Sequence, residues 1–197
     1  VDYGINNVVG GVVVMFSIMS GSLSAAITRF LNYEMGKKDE VKLNNVFSSS
    51  VTIQIGLSFI VVILAETIGL WFLNNKMVIP EERMYAANWV YQLSLLTFVI
   101  NLISVPYNAA IIAHERMSAF AYISIFEVVS KLIVAYCLMV SPFDRLILLS
   151  LMVTIIAIII RLIYGFYCSR NFAECKYHFV YDHDLLKQMF GFAGWNF

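Results

Sequence analysis

The chain has 197 residues, of which 60% are hydrophobic and only 13% charged, and its mean hydropathy is +0.79. Soluble domains carry roughly 25% charge, and a fold of this size cannot bury so much apolar surface and keep a polar skin, so the sequence requires lipid as its solvent. Thirteen basic against thirteen acidic residues leave no global basic field for nucleic acid; abundant Leu, Ile, Val and Phe exclude disorder, and Cys137, Cys168 and Cys175 form no regularly spaced disulfide framework.

Windows free of charge predict the membrane spans. Residues 3–28 and 43–65 contain no charged side chain, and each is long enough to cross about 30 Å of hydrocarbon as a helix. A third span covers 84–113, with Pro106 inside it and Tyr85, Trp89 and Tyr91 near its start as an interface belt. The fourth, 117–140, is apolar except for Glu127 and Lys131, and the fifth, 146–168, except for Arg161. From about Gln188 to Phe197 the chain is apolar again. The expected fold is all-α, a polytopic transmembrane helix bundle of five spans plus the start of a sixth, with 1–187 as a partial bundle and 188–197 opening the next helix.

Positive charges orient these spans. Arg29, Lys37, Lys38 and Lys42 close or follow the first, Arg116 follows the third, and Arg161, Arg170, Lys176 and Lys187 close or follow the fifth; the alternate connections hold only Lys76, Arg83 and Arg145. Such a bias puts the better-charged connections in the cytoplasm, so the first span enters from outside. The chain begins with Val1 and has no basic signal-peptide start. A fragment at both ends is therefore expected, preceded in the intact protein by an odd number of helices.

Polar residues recur at helical intervals inside the spans. Asn6, Gly10, Ser17, Gly21, Ser24 and Thr28 share one side of the first; Asn45, Ser48, Ser49, Thr52 and Gln54 occupy the inner half of the second; Ser94, Thr97, Asn101, Ser104 and Asn108 mark the third, and Ser150, Thr154 and Arg161 the fifth. They meet either as buried hydrogen-bonded contacts or around a polar pathway. Glu127 and Lys131 stand one turn apart in the favourable order. An unpaired charge at the bilayer centre costs about 2.5–3.5 kcal/mol on insertion scales, so the pair is read as a structural intramembrane ion pair, or as a group that couples an ion or contacts a charged substrate. Arg161 either snorkels to the interface or faces a substrate, and Arg29 either meets a phosphate or anchors a helix end. Pro106 removes the backbone donor to the Leu102 carbonyl and makes the third span a candidate hinge. The string Cys168, Cys175, His178, Asp182, His183 and Asp184 has no metal-ligand spacing. No phosphate-binding glycine loop and no nucleophile elbow is present, and the external connections 74–83 and 141–145 are too short for a catalytic loop. Neither an enzyme nor a bound cofactor is expected.

Asp2-Tyr3-Gly4, Val9-Gly10-Gly11, Thr28-Arg29 and Gly36-Lys37-Lys38-Asp39 occur in that order, followed by Ala65-Glu66-Thr67-Ile68-Gly69-Leu70-Trp71-Phe72-Leu73, Val105-Pro106-Tyr107-Asn108 with Ala113-His114-Glu115, and Phe192-Ala193-Gly194-Trp195-Asn196. This order resembles the polysaccharide (O-antigen and lipopolysaccharide) flippases of the multidrug, oligosaccharidyl-lipid and polysaccharide exporter superfamily, in the form found in Bacteroides-type bacteria, over essentially the whole chain. The resemblance implies two six-helix bundles facing a central cavity that opens alternately to either side, of which this chain would supply the second to sixth helices and the start of the seventh. It implies a multi-pass protein of the bacterial inner membrane that moves an undecaprenyl-pyrophosphate-linked oligosaccharide to the periplasmic leaflet during lipopolysaccharide or polysaccharide biosynthesis. The implied partners are the lipid-linked oligosaccharide and membrane lipids, with H+ or Na+ as a coupling ion. On that reading Arg29, Asn6, Ser17, Ser24 and Arg161 lie near the head group, while Glu127 and Lys131 brace the bundle or couple an ion. A cation-coupled multidrug exporter of the same superfamily is the alternative.

Overall fold

A computed structural model describes residues 21, 23–75, 81–140 and 144–178. Among these the regular structure is helical, without a strand. Helix α1 covers 23–37, α2 Glu40–Leu64, α3 Glu81–Ala113, α4 Met117–Val140 and α5 Arg145–Asn171. Four helices are long and apolar enough to cross a membrane: Glu40–Leu73, Arg83–Ala113, Met117–Met139 and Arg145–Asn171. Most of the predicted first span, and all of the predicted sixth helix, lie outside the described residues.

The predicted fourth span coincides with α4, and the helices of the second, third and fifth spans are longer than their predicted windows. The second is the clearest case. Glu66 closes its window, yet the helix continues through a π-helical turn, Ala65–Gly69, into Leu70–Asn75. At 1.5 Å per residue the 34 residues of Glu40–Leu73 extend about 50 Å, well beyond the hydrocarbon. A charge ends the comfortable apolar stretch, but a helix that stops there leaves carbonyls unpaired, so the backbone keeps its ladder into the interface.

Turn chemistry fixes the corners. Between α1 and α2 the chain reverses at Lys38, which takes a positive φ of 59°, and Asp39 caps α2 by accepting from the Lys42 amide at 3.0 Å. Between α3 and α4, Glu115 takes a positive φ of 55°. Asp144 caps α5 by accepting from the Leu146 amide at 3.0 Å and also receives Arg83 of α3 at 2.7 Å.

That ion pair sets α3 and α5 side by side and parallel. The sequence offset at Arg83–Asp144 is 61 residues, and it persists along both helices. Thr154 donates to the Leu93 carbonyl at an offset of 61, Thr97 and Thr154 share a hydrogen bond at 57, and the Cys168 thiol donates to the Tyr107 carbonyl at 61. Hydroxyl contacts of this kind average about 0.6 kcal/mol in membrane helices, and small residues such as Ala109 and Ala110 let the backbones close around them. Helix α2 runs antiparallel to α3, with Phe47 edge-on to Tyr107 at 5.2 Å near one end and the Tyr91 hydroxyl donating to the Ala65 carbonyl at 2.8 Å near the other. The main core collects Leu23, Ile27 and Leu31 of α1 with Val46, Phe47, Ile111, Ile160 and Tyr164.

Outward faces are apolar to a degree that water would not tolerate: Phe59, Ile60, Trp71, Tyr122, Leu132, Leu162 and Phe166 are all exposed. The chain is therefore a membrane protein, with four helices among the described residues long and apolar enough to span.

The π-helical turn ties this packing to a testable contact. A Cβ on Gly69 would lie 1.9 Å from the Tyr91 hydroxyl and 2.9 Å from the ring carbon that bears it. Replacing Tyr91 by Phe removes one hydrogen bond and should cost about 1 kcal/mol. Gly69→Ala should cost more, because the whole ring must leave, and the double variant should be less destabilised than the sum of the two. Thermal unfolding in detergent reads all three; additive losses would show that the two residues do not share this contact.

Candidate functional site

The polar residues singled out in the sequence separate into three environments. The first lies on α1. Gly21, Ser24, Ala25, Thr28, Arg29 and Asn32 line an open groove of about 640 Å³, closed on one side by Ile112 of α3. The i, i+3, i+4 spacing of these residues puts them on one face, and the opposite face, Leu23, Ile27 and Leu31, is in the core. The Thr28 hydroxyl is committed to its own helix, donating to the Ser24 carbonyl at 2.9 Å, while Arg29 is exposed at the groove. Asn6 and Ser17, predicted for the same face, fall outside the described residues.

Arg161 does not line that groove. Its guanidinium carbon sits 3.9 Å from the centroid of the Tyr107 ring, a cation–π geometry worth about 2 kcal/mol when desolvated. The arrangement depends on Gly165, where a Cβ would come within 2.9 Å of Nη1. Because Gly165 is one turn further along α5, the side chain runs toward the helix C-terminus while it stacks. The stacking on Tyr107 and the run toward the helix C-terminus are thus one conformation.

Glu127 and Lys131 form the expected pair, with Nζ to Oε1 at 2.6 Å. Glu127 shares a stripe with Ile123, Ser130 and Val134, of which Ile123 and Val134 are buried in the main core. Lys131 hangs at its rim, 52% exposed against 37% for Glu127. The pair thus satisfies itself along one helix. Pro106 is fully buried within α3, which is continuous through it.

The second environment was not anticipated as a unit. The segment after α5, with its short 3-10 turn Ala173–Cys175, folds back across the end of the bundle that the charge bias assigns to the cytoplasm, called here the inner end. Asn44 of α2 donates to the carbonyls of Glu174 at 3.1 Å and Lys176 at 3.2 Å. The His178 amide donates to the Ser48 hydroxyl at 3.3 Å, its ring Nε2 lies 3.3 Å from the Asn45 side-chain Oδ1, and Thr52 meets the Tyr177 hydroxyl at 3.3 Å. His114, at the end of α3, pairs with Glu174 and stacks on Phe172 at 4.0 Å. These contacts frame a cleft of about 510 Å³ lined by Glu40, Asn44, Asn45, His114, Glu174 and His178. Most of the polar residues in the inner half of α2 are therefore hydrogen-bonded to this latch. The sequence displayed Asn44-Asn45 and His114 openly, but their partners lie 60 or 130 residues away.

The third environment is the α3–α5 seam. Thr97 and Thr154 meet there, whereas Ser104 returns to the Ile100 carbonyl at 2.8 Å and Asn101 faces outward. The predicted polar stripe of the third span is thus divided among a helix contact, a back-bonded hydroxyl and an exposed amide.

Among the described residues no group of three or more His, Cys, Asp or Glu is arranged to hold a metal. Cys168 is bonded to Tyr107, and the Cys175 thiol is pushed well above the usual range by its hydrogen bond with Cys168 and then by burial.

No family model matches the chain, and no curated protein or solved structure is significantly similar to it.

The raised Cys175 pKa has a readable consequence. An ordinary thiol is half ionised near about pH 8.5, and only the thiolate is alkylated. In the folded protein, iodoacetamide at that pH should leave Cys175 essentially unmodified, while the same protein in SDS is labelled there. An unfolded chain releases a proton that the folded one retains, so this group also favours unfolding as the pH rises past the unfolded thiol's value. Peptide mass spectrometry measures the labelling; equal rates with and without SDS would refute the buried thiol pair.

Proposed function

We propose that the chain is part of a transporter that flips an undecaprenyl-pyrophosphate-linked oligosaccharide across the bacterial inner membrane by alternating access, and that it is not an enzyme. The observation that carries this reading is the α1 groove. It brings a guanidinium, Arg29, together with the amide of Asn32 and the small hydroxyl residues Ser24 and Thr28 at the inner end of a membrane bundle. A pyrophosphate head group needs a planar cation with several donors, and the sugars next to it need amides and hydroxyls, while the lipid tail can remain in the bilayer. The order of motifs from Asp2 to Asn196 supports the same family of tasks.

Arg29, which lines the groove, takes the head-group role, and Arg161, stacked on Tyr107, steadies the α3–α5 packing. Glu127 and Lys131 form a closed pair that braces α4. The alternative, a cation-coupled multidrug exporter, draws on that same intramembrane pair as an ion-coupling group.

Complementation of a flippase-null strain by the intact gene separates these readings. Surface polysaccharide should return, Arg29→Ala should reduce it about tenfold at normal protein level, the loss of one charge-assisted contact, and the double swap Glu127→Lys with Lys131→Glu should retain transport. Failure of the wild-type gene to restore glycan while correctly inserted, or drug resistance as its sole phenotype, would refute the flippase reading. Loss of transport in the well-expressed swap would favour ion coupling.

A further inference from the structure

Helix α2 presents one stripe to α3. Phe47, Gln54, Ser58, Val61 and Ala65 recur at intervals of a turn or two, and their neighbours on α3 are known at three levels: Phe47 against Tyr107, Val61 in a cluster with Phe98 and Leu102, and the Ala65 carbonyl under the Tyr91 hydroxyl. The two helices are antiparallel, so counting inward from either end brings Gln54 opposite the neighbourhood of Leu102. The side chain of Gln54 is completely buried, yet neither Oε1 nor Nε2 has a protein partner. The adjacent hydroxyl does not help, because Ser58 donates to Gln54's own backbone carbonyl at 2.7 Å.

The helix facing this amide has a matching demand. Pro106 brings no N–H to the carbonyl four residues earlier, that of Leu102. Carbonyls freed in this way in membrane helices are commonly satisfied by side chains or ordered water. A glutamine amide offers two donors and an acceptor oxygen, and a freed carbonyl offers only acceptors. A ligand that serves both must donate and accept and must be small, because nothing of this side chain reaches the surface. A cation would satisfy Oε1 and the carbonyl but leave Nε2 unpaired; an anion would do the reverse; a sugar or a lipid group cannot enter.

We propose that ordered water occupies a buried site between α2 and α3, held by the Gln54 side-chain amide and solvating the Leu102 carbonyl that Pro106 leaves without its helical donor. The site is independent of what the protein transports. It satisfies the backbone group that Pro106 leaves open in α3, and it accounts for a fully buried polar side chain in α2.

Radiolytic hydroxyl labelling tests this on the full-length protein in nanodiscs, because radicals made from a bound water oxidise the side chains around it whether or not bulk solvent reaches them. Leu102, 1% exposed, and Val61, 4% exposed, should be oxidised in the wild type. When the solvent is switched to 18O water before the pulse, 18O should enter the oxidised Leu102 more slowly than surface residues, because the bound water must first exchange with bulk. Gln54→Leu should reduce oxidation of Leu102 about fivefold or more, since a small buried apolar site stays dry. If that variant does not fold, Gln54→Met, closer in shape, carries the same expectation. Absence of oxidation at both Leu102 and Val61 in the wild type, exchange as fast as at the surface, or undiminished oxidation in a folded apolar variant would each overturn the proposal.

Discussion

Hydrocarbon offers no hydrogen bonds, and the architecture of this chain follows from that single deficit. Each backbone group must find its partner inside the structure, which explains why the regular structure is helical and why α2 runs on through Glu66 instead of ending where its charge-free window ends. Many polar side chains obey the same rule. Thr67, Thr97, Ser104 and Ser150 return to carbonyls of their own helices, Thr97 also meets Thr154 across the α3–α5 seam, and Glu127 and Lys131 neutralise each other within one turn. Apolar residues are released from the duty they have in water and cover the outside.

Where the bonds cross between helices, they also set the geometry. A constant offset near 60 residues, from Arg83–Asp144 at one end to His114–Glu174 at the other, holds α3 and α5 parallel over their length. The latch after α5 continues that seam onto α2. It joins three segments that charge bias had assigned to one side of the membrane: the start of α2, the end of α3 and the chain beyond α5. They converge at one end of the bundle, as the up-and-down order of the helices requires. The groove at Arg29 opens where α1 passes Ile112, near the end of α3, so the cation is held by the same scaffold that anchors the latch.

Much of the fold was legible because membrane helices announce themselves by length and charge. Residues 117–140 were read as α4 without change, and the long apolar windows of α2, α3 and α5 differed from the observed helices mainly at their ends. The ends were harder to read, since a helix stops when its terminal groups find partners, as at Asp39 and Asp144, and not at the last apolar residue. The Glu127–Lys131 pair was readable because it lies within one turn. Arg161 was visible as a cation in a span, but its stacking on Tyr107 and the need for Gly165 beneath it depend on a neighbouring helix. The latch was invisible for the same reason: Asn44, His114 and Glu174 are unremarkable polar residues until the chain brings them together. Gln54 could be seen as one of several polar residues in the second span, but only the packed interface distinguishes it, as the one whose side-chain amide finds no protein partner at either atom.

The central claim is that four of these helices cross lipid with their apolar faces outward. Spin labels placed singly at Phe59, Leu132 and Leu162, which are 67%, 65% and 66% exposed, test it most directly in reconstituted full-length protein. Collisional relaxation should show each label accessible to oxygen, which concentrates in the bilayer, and inaccessible to a water-soluble nickel chelate. High accessibility to the nickel chelate at these positions would contradict the account.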